Sequence, residues 1–204
     1  MNPRSGVAAA PARCGHSMYQ QVEREWARSG EDLWVFAYAS LIWRPEEPVA
    51  ESHFATVHGF HRALHMWSRV NRGTPEEPGL VFALLTGGSC RGMVQRVARA
   101  DVPAYLPKLW AREMPNPVYD PKWVNARTAQ GTVRALAFTL SRRSPNYTGL
   151  LSPERYRRIF SCSAGRYGTT LAYARETYEH LRELGIHDRA LAALLSHAPE
   201  ACTP

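Results

Sequence analysis

No two cysteines in this 204-residue chain stand close together: the four lie at positions 14, 90, 162 and 202, with no C-x-x-C pair. That spacing excludes a zinc ribbon and a disulfide framework, and it fits a reducing cytoplasm, where the chain is expected to work. Also missing is any run near the roughly 18 apolar residues that a membrane-spanning helix needs, so no membrane partner is expected. The alanines at 8 to 10 are too few, and too hemmed in by Pro3, Arg4, Pro11 and Arg13, to make a secretory leader. Basic residues outnumber acidic ones, 25 to 18, for a net charge of +7. They are scattered, with Asp and Glu between them, which argues against a nucleic-acid partner and for a surface that draws in small anions.

What the chain does have is one dense apolar stretch, Leu33 to Trp43, cut off by Arg44-Pro45-Glu46-Glu47-Pro48. Its aromatic and β-branched residues suit a buried strand that runs into a turn. Ala39 and Ser40 are small, and small residues at a strand end let a ligand approach the backbone. If the chain bends there, the amides of Ala39, Ser40 and Leu41 converge into a nest for a carboxylate; a plain core strand with no ligand is the alternative. Ahead of this stretch, residues 1–30 read as an N-terminal extension, largely disordered. Within it residues 17–28 allow a helical turn or two, with Tyr19, Val22 and Trp26 on one face. Residues 31–204 suit a single domain with a real core.

Residues 54–60 and 63–68 read as two strands with Gly59 as a bend or bulge between them. Residues 71–79 carry turn chemistry, residues 80–85 and 93–97 read as a hairpin around Gly87 to Gly92, and residues 133–140 as a further strand. Four histidines fall here, at 53, 58, 61 and 65. His61 and His65 are four apart in a strand-like stretch, too distant to share one ion, so no metal site is expected. These elements predict an α+β fold: a curled, mainly antiparallel sheet or small β-barrel with peripheral helices.

The period changes after Asp101, a suitable N-cap, with Val102, Tyr105, Leu106, Leu109 and Trp110 on one helical face and Pro107 kinking or restarting the helix. Four residues beyond Leu109, Glu113 occupies the place of the next core residue, while Arg112 is expected to point elsewhere. Glu113 either swings to solvent or pairs with an arginine, or it sits against Trp110 and Met114. There desolvation would raise its pKa toward a value that suits both taking and giving a proton. The proline-rich residues 115–124 read as a loop in which Tyr119 lines a pocket or pins the loop. Ser152-Pro153 starts a helix through Phe160. Thr169 or Thr170 starts another, with Leu171, Ala174, Tyr178, Leu181 and Leu184 as its stripe and Gly185 as its stop, and Asp188 caps a last one.

Several of these segments are similar to a known family, in the same order. V-F-A-Y-A-S-L-I-W (35–43), H-G-F-H-R (58–62), R-G-T-P-E-E-P-G (72–79), G-G-S-C-R-G (87–92) and L-W-A-R-E-M (109–114) resemble the landmarks of the ChaC-like γ-glutamylcyclotransferases, over roughly residues 33 to 195. The resemblance implies a γ-glutamylcyclotransferase-like fold and a cyclising lyase that needs no cofactor. Its implied substrate is a small molecule, glutathione or a related γ-glutamyl compound, whose glutamyl amine attacks its own side-chain carbonyl to give 5-oxoproline and cysteinylglycine. It also implies Glu113 as the catalytic acid/base and Tyr38, Ala39, Ser40 and Leu41 as a substrate-binding loop. Tyr173 aligns with the tyrosine of a D-Y-L segment that approaches substrate, although Ala172 and Ala174 flank it here, and Tyr119 is a further candidate contact. Ala39 replaces the family's glycine. Where φ must be positive this costs about 1 kcal/mol, and where substrate must approach the backbone it crowds. A catalytically weak or silent binder of γ-glutamyl compounds, or a cyclotransferase for other γ-glutamyl amides, is therefore the alternative.

Overall fold

The apolar run at Leu33 to Trp43 supplies the first strand, but only from its first half. In the structure, a computed structural model that describes residues 15–199, β1 spans Leu33–Ala37 and the chain then bends. β2 (Glu51–Ser68) and β3 (Gly79–Val97) form a long antiparallel ribbon, from Glu51 opposite Arg96 to Ser68 opposite Gly79. β4 (Asp120–Thr128) and β5 (Gly131–Thr139) form a shorter hairpin. The strand order is β1-β3-β2-β4-β5, and β5 runs parallel to β1, Trp34 opposite Ala135, which closes a small barrel.

Closure of the barrel changes the expected strand count. Residues 54–60 and 63–68 belong to one strand, and residues 80–85 and 93–97 are not two arms of a hairpin but parts of the single strand β3. His58 faces Ser89 and Phe60 faces Thr86, so Gly59 lies across from Gly87 and Gly88. All three have positive φ, at 83°, 102° and 70°. Turn-like glycines here build a bulge that bends the ribbon without ending it. The segment 115–124 is likewise a loop only up to Tyr119, because β4 begins at Asp120.

Among the described residues five α-helices cover the barrel: α1 (Gly15–Ser29), α2 (Val102–Glu113), α3 (Pro153–Cys162), α4 (Thr170–Glu183) and α5 (Arg189–Leu195). The first corrects the expectation of a largely disordered extension through residue 30. α1 is four turns long, and its Val22 and Trp26 are buried in the core; residues 1–14 of that extension lie outside the described residues. Asp101 stands at the head of α2 but caps with its carbonyl, which accepts from the amides of Ala104 and Tyr105, and not with its side chain. Pro107 sits inside α2 without ending it. Ser152, Thr169 and Asp188 do cap with their side chains, accepting from the amides of Arg155, Ala172 and Leu191. In α4 the buried face is turned toward Tyr173 and Thr177, while Leu171, Tyr178 and Leu184 pack only partly.

The side chains of β1 divide between two apolar clusters, as period-two alternation requires. Leu33, Val35 and Ala37 pack with α1 and α2, and Phe36, with Tyr38 just beyond the strand, packs with residues of α3, α4 and α5. Among the described residues no helix is long and apolar enough to cross a membrane, and Cys90 and Cys162 are free thiols, the first buried and the second exposed.

Candidate active site

Where β1 ends, the two clusters meet and the backbone turns. A single 3-10 turn covers Ser40–Ile42, in which the Ile42 amide donates to the Ala39 carbonyl (2.8 Å) and the Arg44 amide to the Ser40 carbonyl (2.9 Å). The amides of Ala39, Ser40 and Leu41 find no backbone acceptor among the described residues. Ala39 has φ −144°, outside the left-handed region, so alanine takes the glycine's place without left-handed strain.

Glu113 is the last residue of α2, and the apolar stripe places it against Trp110 and Met114, both buried. Its side chain keeps 16% of its surface, facing the cleft that it lines. Arg112 does not point elsewhere: its Nε lies 3.3 Å from Glu113 Oε1, and its Nη1 is 4.0 Å from Glu46. Burial pushes the Glu113 carboxyl above the ordinary range, the Arg112 guanidinium opposes this, and the Glu46 carboxylate adds to it. The two expectations for Glu113, an arginine partner and an apolar wall, are both met in part.

Three buried tyrosines surround this carboxyl. Tyr38 donates to the Phe138 carbonyl (2.9 Å) and Tyr119 to the Phe82 carbonyl (3.2 Å). The Tyr173 phenol is a hydrogen-bonding partner of the Ser40 hydroxyl, and its ring carries the Arg72 guanidinium at 4.6 Å. Burial and the nearby Glu113 charge hold all three phenols well above their usual pKa, so they stay protonated donors. Tyr38, Ala39, Ser40, Leu41, Glu113, Tyr119 and Tyr173 together line a chamber of about 30 Å³ beneath the turn. Ser40, Glu113, Tyr119 and Tyr173 also line a cleft of about 710 Å³, large enough for a tripeptide-sized ligand. The structure therefore brings together every candidate residue of the sequence reading.

The sequence reading passed over the cationic lining of that cleft: Arg44, Arg69, Arg72 and Arg112. Arg72 opens the R-G-T-P-E-E-P-G segment and Arg112 adjoins Glu113, so both lay in stretches already singled out; Arg44 and Arg69 sit in turns with no distinguishing signal. Among the described residues no group of three or more His, Cys, Asp or Glu could hold a metal ion. His61 instead bonds the Gly87 carbonyl (2.9 Å), and His65 packs on Tyr147.

A family model described as "ChaC-like protein" matches residues 33–201. The chain is 32% identical over 164 residues to the glutathione-specific gamma-glutamylcyclotransferase of Escherichia coli, covering 80% of this chain and 71% of that protein. It is 28% identical over 170 residues to the human glutathione-specific gamma-glutamylcyclotransferase 1, covering 80% and 77%. Its fold is similar to the crystal structure of the yeast gamma-glutamyl cyclotransferase specific to glutathione, with a TM-score of 0.73 at 19% identity, covering 82% of this chain and 95% of that one.

Proposed function

The chain belongs to the ChaC-like family, and from that premise we propose that it is a glutathione-specific γ-glutamylcyclotransferase, releasing 5-oxoproline and cysteinylglycine. The observation that carries this reading is the position of Glu113. It is the one acidic side chain lining the cleft among the described residues, and it borders both the arginine-lined cleft and the chamber under the Ser40 turn. Glutathione carries two carboxylates and one ammonium, and a cleft with four arginines and a single carboxylate complements that pattern.

In this mechanism Glu113 takes a proton from the glutamyl ammonium. The free amine attacks the γ-carbonyl of the same molecule, and a five-membered ring forms as the new C–N bond is made. Free amides of the turn face the glutamyl end, where they hold its carboxylate or stabilise the developing oxyanion. The ring nitrogen sheds its second proton once the C–N bond has formed, the amide bond to cysteine breaks, and Glu113 passes both protons on to the departing amine, so that cysteinylglycine leaves as an ammonium and the lactam keeps a single N–H. Atoms balance without water or a co-reactant. Desolvation helps at both steps, because a carboxyl with a raised pKa is a stronger base before the attack and a ready acid after it.

Incubation with glutathione tests the reading directly. Equal amounts of 5-oxoproline and cysteinylglycine are expected by chromatography, and a folded protein that yields neither would overturn it. Binding of glutathione without turnover would identify instead the silent binder that the Ala39 replacement suggested.

A further inference from the structure

Two buried polar side chains outside the turn grip its backbone from behind. Arg62, on β2, donates from Nη1 to the Tyr38 carbonyl (2.7 Å). Gln95, on β3, donates from Nε2 to the Leu41 carbonyl (2.8 Å). Both are deeply placed, with Arg62 8% and Gln95 3% exposed. With the two bonds inside the turn, every carbonyl from Tyr38 to Leu41 has a donor. A trans peptide is planar, and its N–H and C=O point in opposite directions. Each held carbonyl therefore fixes the amide of the following residue: the Tyr38, Ala39 and Ser40 carbonyls set the free amides of Ala39, Ser40 and Leu41, while Gln95, through the Leu41 carbonyl, sets the Ile42 amide, which in turn holds the Ala39 carbonyl and so the Ser40 amide.

We infer that Arg62 and Gln95 are positioning residues of the cyclotransferase reaction: they lock the peptide planes of the turn so that its free amides face the reacting glutamyl group. This rests on the function proposed above and adds to it what holds the donors in place. The chemistry of each residue fits the task. Arg62 lends its charge to the Tyr38–Ala39 peptide, and a charge-assisted bond polarises the peptide it ends on, strengthening the Ala39 N–H as a donor. Its fork is itself braced, because Nε donates to Asp188 Oδ2 at 3.0 Å and Nη1 also reaches the Arg91 carbonyl at 3.2 Å. Asp188 serves two purposes, since its other oxygen caps α5 at Leu191 (2.9 Å). Gln95 gives the complementary sign. Its Oε1 is buried with no partner, a standing cost that a purely structural position would avoid with a hydrophobic residue. Holding the Leu41 carbonyl is what the amide does in return.

The decisive variant is Gln95→Met, close in volume to the parent, which removes the unpartnered Oε1 together with the bond to Leu41. Its Tm is expected within about 2 °C of the parent, while kcat/KM on glutathione falls by about tenfold or more. The backbone amide resonances of Ser40, Leu41 and Ile42 are expected to shift. Arg62→Lys, which keeps the charge but lacks the fork that spans Asp188 and the Tyr38 carbonyl, is expected to lose a similar factor. If kcat/KM in Gln95→Met stays within twofold of the parent and the turn amides do not move, the clamp is disproved, whatever Arg62→Lys does. If the parent itself releases no 5-oxoproline, the functional reading fails, and the resonance shifts alone decide whether the two side chains fix the turn.

Discussion

Glu113 is held in a conflict of forces that a single substitution can resolve. Its carboxyl titrates higher in the folded protein than in the unfolded chain because burial outweighs the Arg112 charge. Between those two pKa values the folded state binds the extra proton, so stability falls as pH rises through that window and the full cost of the ionised group is present above it. Glu113→Gln should therefore melt higher than the parent at pH 8, with the gap closing as pH is lowered past the folded pKa. The same change removes proton transfer, so turnover should drop by about 10²–10⁴-fold while glutathione still binds; retention of a tenth of parental turnover would refute the role. Arg112→Gln takes away the charge that lowers the Glu113 pKa, and the acid limb of the kcat/KM profile should move to higher pH. At Ala39, φ removes the question of left-handed strain and leaves that of space. In a chamber of about 30 Å³ a methyl matters, so Ala39→Gly should raise kcat/KM on γ-glutamyl substrates at a stability cost of about 0.5–1 kcal/mol. An unchanged value would mean that substrate stops short of the turn.

Among the elements, α1 is the clearest case of tertiary packing where local signals were thin. Val22 and Trp26 bury one face, the Trp26 indole donates to the Glu31 carbonyl (3.1 Å), and Arg99 covers the ring at 5.0 Å. Removing residues 1–29 should lower Tm by several degrees or more, since losing a buried tryptophan alone costs about 3–5 kcal/mol; an unchanged Tm would show that α1 is dispensable. The spacing of Tyr19, Val22 and Trp26 made a helix legible, but not its docking, which depends on partners some seventy or more residues away, such as Arg99. The β2–β3 ribbon was misread for another reason. Glycines with positive φ serve a turn and a bulge equally well, and only the partner strand tells them apart. The stripe of α2 ending on Glu113 was legible because one helix carries the whole signal. Arg62 was legible in principle, as a charge in phase with buried Leu64 and Met66, whereas its partner Asp188 lies 126 residues away.

At the scale of the whole molecule, the net charge of +7 is put to use where Arg44, Arg69, Arg72 and Arg112 line one cleft. Attraction of an anionic substrate to such a cleft is screened by salt, so KM for glutathione should rise between low salt and about 0.5 M NaCl with little change in kcat. Arg72 donates to the Tyr167 carbonyl and lies over Tyr173, and burial lowers its pKa. Arg72→Ala should raise KM for glutathione more than KM for a γ-glutamyl amide lacking the second carboxylate; equal effects on both would move the distal carboxylate elsewhere. The closed barrel has a last consequence, for the order in which the protein matures. β1 is the first strand made, yet its partners β3 and β5 follow tens of residues later, Tyr38 waits for Phe138 and Arg62 waits for Asp188. Contacts of such long sequence separation form late and fold slowly. A nascent chain thus gains its amide-lined turn only when nearly all of it has left the ribosome, and half-made copies carry no finished site.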